Sequence, residues 1–203
     1  MKIIYIISEN CPNSTLDKFI NENKKNNKLI NEKIIYSIIL DLCMGIKEIH
    51  NKKIVHRNLK PNNIFIGDDY RIKIGNFKNA KIFQENEEEI INEKIDINNY
   101  TAPEIMINQN YNYKIDIWSL GCIIYELCTL NLCFDTEKLS DLAEQILDFN
   151  KKEIDLKTYS PEIQNLINIL LNKNPDKRPN INEVYEEIMK IDYKKYENDN
   201  KKK

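Results

Sequence analysis

The chain has 203 residues, 41% of them hydrophobic and 31% charged, which is enough for one globular domain with a substantial core. A formal net charge of −2 excludes the strongly basic surface of a nucleic-acid or anionic-membrane binder. No apolar stretch approaches the roughly 20 residues of a membrane-spanning helix, and the apolar run after Met1 is too short for a signal segment and is closed by Glu9.

Ile3 to Ile7 is short, apolar and β-branched, and predicts a buried strand. Cys11 to Ser14 reads as a turn and Leu16 to Glu22 as the start of a helix. After a polar Asn/Lys-rich link, Ile34, Ile35, Ile38, Ile39, Leu42 and Ile46 recur at helical spacing and predict an amphipathic helix ending near His50. Short strands follow at Ile64–Gly67 and Arg71–Ile74, around a turn at Asp68 and Asp69. Residues 85–99 are polar, show no period and read as an exposed loop. Ile115 to Leu130 is apolar almost all round, which predicts a helix buried on every side at the centre of the domain. Leu139 to Phe149 forms a further amphipathic helix. Ser160 and Pro161 stand as N-cap and first residue of the next, whose face is Ile163, Leu166, Ile167, Leu170 and Leu171. Asn180 and Glu183 have capping-box spacing for a last helix, and residues 193–203 read as a charged, frayed tail. Five cysteines, Cys11, Cys43, Cys122, Cys128 and Cys133, form no CxxC pair and read as reduced, mostly buried thiols. A cytoplasmic protein is expected. The chain is rich in Ile, Asn and Lys and holds only four glycines, a bias able in itself to turn Asp codons into Asn.

The motifs between these elements fall in one order. His56-Arg57-Asn58-Leu59-Lys60-Pro61-Asn62-Asn63 resembles the protein-kinase catalytic loop H-R-D-L-x-x-x-N. Ile74-Gly75-Asn76-Phe77-Lys78 resembles the strand and D-F-G motif, and Ala102-Pro103-Glu104 the A-P-E that closes the activation segment. Asp116-Ile117-Trp118-Ser119-Leu120-Gly121 is similar to the D-x-W-S-x-G of the buried helix. Pro175-Asp176-Lys177-Arg178-Pro179 is similar to the family's late Arg motif. The sequence is thereby identified as a member of the eukaryotic-type protein kinase family. Lys60-Pro61 favours the serine/threonine branch, and Ile64-Phe65-Ile66 resembles the NIMA-related kinases without deciding a subfamily. The resemblance implies a mainly α fold within an α+β family: a kinase-like C-terminal lobe over residues 1–192, with a helical bundle around a central helix, short β-hairpins, and most of the small lobe not represented.

The same resemblance assigns roles. Asn58 stands where the family has its catalytic base, and an amide has no useful basicity. A positioned general base is worth roughly 10²–10⁴-fold in rate, about 3–5 kcal/mol of barrier. Asn76 stands where an Asp holds Mg²⁺, a hard cation that favours anionic oxygen. Asn63 matches the second metal position and Lys60 the lysine that meets the transferring phosphate. Lys78 replaces a glycine and removes a flexible hinge. His56 is expected to pack into the hydrophobic spine with Phe77 near it, Asp116 to anchor the catalytic loop from below, and Glu104 and Arg178 to form a buried ion pair. Arg57 often grips a loop phosphate in the family. Residues 79–99 contain no Ser, Thr or Tyr, so Glu87, Glu88 and Glu89 are candidates for fixed negative charge, against the plainer reading of a solvated acidic loop.

The segment from Ile4 to Cys11 resembles the last small-lobe strand and the hinge. Ser8 stands as gatekeeper, Glu9 and Cys11 as adenine-facing backbone, and Phe65 as adenine platform. No Gly-rich loop or β-strand lysine comes before it in the sequence. ATP and Mg²⁺ are implied by the family, with weak or absent binding expected here. Three functions follow: a pseudokinase lobe that acts by binding a protein partner, a serine/threonine kinase acting on protein substrates if a small lobe is supplied elsewhere, or a truncated fragment with no function of its own. Neither nucleic acid nor membrane is expected as a partner.

Overall fold

The computed structural model describes residues 11, 14–67, 71–84, 89–136, 138–149, 153–155 and 157–200, with side chains as far as Ile191. The strand expected at Ile3–Ile7, together with Ser8, Glu9, Asp68, Asp69, Glu87 and Glu88, lies outside the described residues.

Helix α1 (Leu16–Lys25) leads into α2 (Glu32–Asn51), which starts where the Asn31 side chain accepts the Lys33 amide at 2.9 Å. Strand β1 (Ile54–Val55) follows, then the hairpin of β2 (Ile64–Ile66) and β3 (Ile72–Ile74), closed by the Gly67 amide on the Arg71 carbonyl at 2.9 Å. Strand β4 (Lys81–Ile82) returns antiparallel to β1, pairing Val55 with Lys81 and Ile54 with Ile82. The β1–β4 pair is an addition to the sequence-based expectation, because strands of two residues are too short to show alternation.

The remaining helices are α3 (Pro103–Met106), α4 (Lys114–Thr129), α5 (Leu139–Asp148), α6 (Pro161–Leu170) and α7 (Ile181–Asn200). Helix α4 is the predicted central element. Trp118, Leu120, Cys122, Ile124 and Leu127 are all fully buried, and apolar residues on every side leave it no solvent face. Helix α6 packs against it at Gly121, where a Cβ would lie 2.9 Å from Leu171 Cδ2 and 3.0 Å from Leu170 Cβ. On the other side Trp118 stacks on Phe134 at 5.8 Å between ring centroids, with Phe149 edge-on to both. Helix α2 packs between α4, α7 and the β2–β3 hairpin.

Three local expectations need correction. Ser160 holds the N-cap position of α6 but makes no cap hydrogen bond; its hydroxyl faces Tyr36 Oη at 3.4 Å instead. The polar 85–99 loop is not wholly exposed. Ile91 is buried and exchanges backbone hydrogen bonds with Tyr111 at 2.8 and 3.0 Å. The backbone of α7 stays helical to Asn200, past the start of the expected tail. The capping box does form: the Asn180 amide donates to Glu183 Oε2 at 2.7 Å and the Glu183 amide to Asn180 Oδ1 at 3.1 Å. Among the described residues, no helix is long and apolar enough to cross a membrane.

Candidate active site

The loop between β1 and β2 is fixed from beneath by one carboxylate. Asp116, in the first turn of α4 and buried, accepts the His56 amide on Oδ2 at 2.9 Å and the Arg57 amide on Oδ1 at 3.0 Å. His50 Nε2, from the end of α2, meets the same Oδ2 at 2.9 Å. This places Asp116 as the resemblance implies and adds His50, which nothing in the sequence set apart. Arg57 has φ 64°, a left-handed conformation that a long side chain adopts at a cost of about 1–3 kcal/mol. Fixing the two consecutive amides on one carboxylate holds it there.

His56 is buried in the same loop. The Asn58 amide donates to its Nδ1 at 3.3 Å, so Nε2 carries the proton and donates to the Gly75 carbonyl at 3.0 Å. With both nitrogens engaged and no access to solvent, the ring is a structural brace. Phe77 packs edge-on against it, 4.9 Å between centroids, yet remains 45% exposed. The spine contact therefore exists on one face of Phe77 only.

The side chains of Asn63 and Asn76 come together with the main chain of Asn58. Asn63 Nδ2 donates to the Asn58 main-chain carbonyl at 2.7 Å, and Asn76 Nδ2 donates to Asn63 Oδ1 at 2.9 Å. The orientations are not interchangeable. A carbonyl only accepts, so the Asn63 nitrogen faces Asn58 and its oxygen faces Asn76, which must then present an N–H. Asn76 sits at φ 62°, a region Asn tolerates better than most residues. The Gly75 amide closes the unit on the Asn63 carbonyl at 2.9 Å. As a magnesium site this donor set fits badly. It offers neutral amides where a hard cation takes anionic oxygens, and the Asn63 oxygen already holds a hydrogen bond.

The other residues singled out in the sequence have differing surroundings. Lys60 is half-buried, and its ammonium has no partner among the described residues. Lys78 is exposed and is not among the positive-φ residues, so its position does not need glycine. Phe65 lies on β2 with its ring against Gly75, where a Cβ would come within 2.8 Å of Cε2. The edge of β2 carries the incoming chain through the Ile66 amide on the Ser14 carbonyl at 2.9 Å and a bridge between Thr15 and Phe65. Cys11 is partly buried, and Glu9 lies outside the described residues. The thiols of Cys43 and Cys128 are pushed up to about 12 by burial and are chemically quiet.

Two further groups brace the site. Arg178 and Glu104 meet as a parallel pair, Nη1 on Oε1 and Nη2 on Oε2, each at 2.7 Å and fully buried. Arg178 also donates to the carbonyls of Asn172 at 2.7 Å, Lys114 at 3.0 Å and Lys173 at 3.2 Å. In front of the loop, Arg57 Nη1 meets Glu93 Oε2 at 2.6 Å and Tyr111 Oη at 3.3 Å, and its Nε donates to the Asn79 carbonyl. Tyr111 Oη donates to the Glu93 carbonyl at 2.9 Å, and Lys81 Nζ lies 3.4 Å from Glu93 Oε1. The Arg57 hydrogen bond holds the Glu93 carboxyl below its ordinary range. Burial opposes charge on Arg57, but bonding to Glu93 and Tyr111 outweighs it and raises the guanidinium. The anion on Arg57 is thus Glu93. Glu89, one of the candidates read from the acidic run, interacts with Tyr113 instead. No sequence signal separates Glu93 from the other acids of the loop.

The protein kinase domain family model matches residues 1–189. The chain is similar to the serine/threonine-protein kinase Nek1 of Mus musculus, 33% identical over 183 residues, which covers 90% of this chain and 15% of that protein. It is 33% identical over 184 residues to the probable serine/threonine-protein kinase nek2 of Dictyostelium discoideum, covering 89% of this chain and 43% of the relative. It is also 36% identical over 182 residues to the serine/threonine-protein kinase Nek5 of Homo sapiens, covering 89% and 25% respectively. The chain thus spans less than half the length of these curated relatives.

Proposed function

The chain belongs to the protein kinase family, and on that premise we propose that it is a catalytically impaired kinase lobe, a pseudokinase, that acts by binding protein partners. The observation that carries this reading is that amides, Asn58 and Asn76, stand at both acid positions, with Asn76 bonded to Asn63. At the position of the base, Asn58 offers a half-buried amide able to orient a hydroxyl but not to take its proton. At the metal position, Asn76 spends an N–H on the Asn63 oxygen. The braces that shape the lobe, Asp116 under the loop and the Arg178–Glu104 pair, are complete. A lobe with its scaffold intact and its acids replaced is suited to presenting a surface rather than moving a phosphoryl group. Lys60 favours a second reading, a serine/threonine kinase of low activity using ATP and Mg²⁺ on protein substrates, because its ammonium, two residues along the loop from Asn58, has no partner among the described residues.

Radiolabelled phosphate transfer to a generic protein substrate separates the two, with Lys60→Ala as background. The expected result is transfer at the level of Lys60→Ala, together with no Mg²⁺-dependent thermal shift in an ATP titration. Turnover by the parent chain that Lys60→Ala abolishes would overturn the pseudokinase reading and establish the enzyme.

A further inference from the structure

We propose that Glu93 is a permanent latch for residues 76–84 and 89–104, its carboxylate acting on Arg57 and Lys81 as a fixed anion that keeps these two stretches docked without covalent modification. The proposal concerns the conformation of the segment and stands whether or not the lobe transfers phosphate.

Arg57 makes an anion necessary. Its side chain is only 11% exposed, and a guanidinium so far out of water is costly unless charge and hydrogen bonds compensate it. Its backbone is already committed to Asp116, so the side chain has one direction to take. It leads into a junction of three stretches of chain: the Asn79 carbonyl and Lys81 beside β4, Glu93 in the middle of the segment, and Tyr111 beyond α3. Tyr111 then ties the junction together twice, by its hydroxyl on the Glu93 carbonyl at 2.9 Å and by its backbone on Ile91. Glu93 is the one carboxylate among the described residues that touches Arg57. Its two oxygens face the two cations that meet there, Oε2 to Arg57 and Oε1 to Lys81. Residues 79–99 contain no Ser, Thr or Tyr, and the two hydroxyls that follow, on Tyr100 and Thr101, are buried, so no hydroxyl between Asn79 and Asn99 can carry a phosphoryl group to this junction. A carboxylate built into the chain is always present, and the docked state needs no second enzyme to set it.

The test is hydrogen exchange on the full chain, read by mass spectrometry over residues 79–84 and 89–99. Glu93→Gln keeps the size and removes the charge, and exchange in both stretches should rise about tenfold or more while the core of α4 is unchanged. Glu93→Asp should lie nearer the parent than Glu93→Gln does. Phosphoserine introduced at position 93 should restore protection that Glu93→Ser loses. If Glu93→Gln does not fold, the parent alone decides. Glu93 is 48% exposed and so leaves the pair open to screening by salt, and exchange in these stretches should rise severalfold between about 0.05 M and 1 M salt, with no rise in α4. Exchange within twofold of the parent in Glu93→Gln, no rescue by phosphoserine, or salt-independent protection in the parent would each overturn the latch.

Discussion

Tyr100 donates to Glu126 Oε2 at 2.6 Å inside the fold. Burial pushes the Glu126 carboxyl above its ordinary range, and the hydrogen bond only partly offsets this. A carboxyl whose folded pKa is raised favours the fold while protonated. Its contribution is lost as pH rises from the unfolded carboxyl's value through the folded one. Glu126→Gln keeps an acceptor for Tyr100 and removes the titration. Its stability relative to the parent should therefore climb across that window and level off above it. Urea midpoints of both proteins at about pH 3.5 and about pH 8 check the sign; a variant that gains nothing on the parent between the two would contradict it. This pair was not legible in the sequence, because nothing in the spacing of Tyr100 and Glu126 says they meet. Asp116, Glu104, Arg178 and His56 were singled out by motif order, and each makes buried contacts in the lobe. Glu93 and His50 were not, since each is chosen by where a loop or helix end docks rather than by its neighbours in the chain.

Helices were the readable elements, for a physical reason. The apolar spacing of α2 and α6 and the all-round apolarity of α4 extend over several turns, and each turn repeats the signal. Strands β1 and β4 give one pair each and no alternation to detect. The element most exposed to a single change is the α4–α6 contact. Gly121→Ala would bring a methyl within 2.9–3.0 Å of Leu171 and Leu170, and the Leu170 Cβ is tied to helix backbone and cannot swing away. Overpacking of this kind costs typically 1–3 kcal/mol, against a helix-propensity gain of about 1 kcal/mol for replacing glycine. A net loss of up to about 2 kcal/mol in chemical denaturation is expected, and a gain in stability would mean that α6 can shift without cost.

At the scale of the whole lobe, the Arg178–Glu104 pair joins the end of the activation segment to the turn before α7. With both side chains out of solvent, removing one leaves the other as an unpaired buried charge. Arg178→Ala or Glu104→Ala should each destabilise by about 3–5 kcal/mol. The double variant should cost less than the sum, as partners in one network do. Denaturation of the three variants decides it, and single losses under about half a kcal/mol would place the pair with weak surface bridges. The same pair has a consequence for synthesis. Its partners lie 74 residues apart in the chain, which a ribosome making about 5–20 residues per second takes roughly 4–15 s to cover. Through that interval Glu104 has left the tunnel with no counter-ion, and α4 has emerged without the α6 face that covers it. The nascent lobe thus presents its most apolar helix bare before its closing bond can form, which makes the interval between the emergence of Glu104 and that of Arg178 the one in which a chaperone would find it.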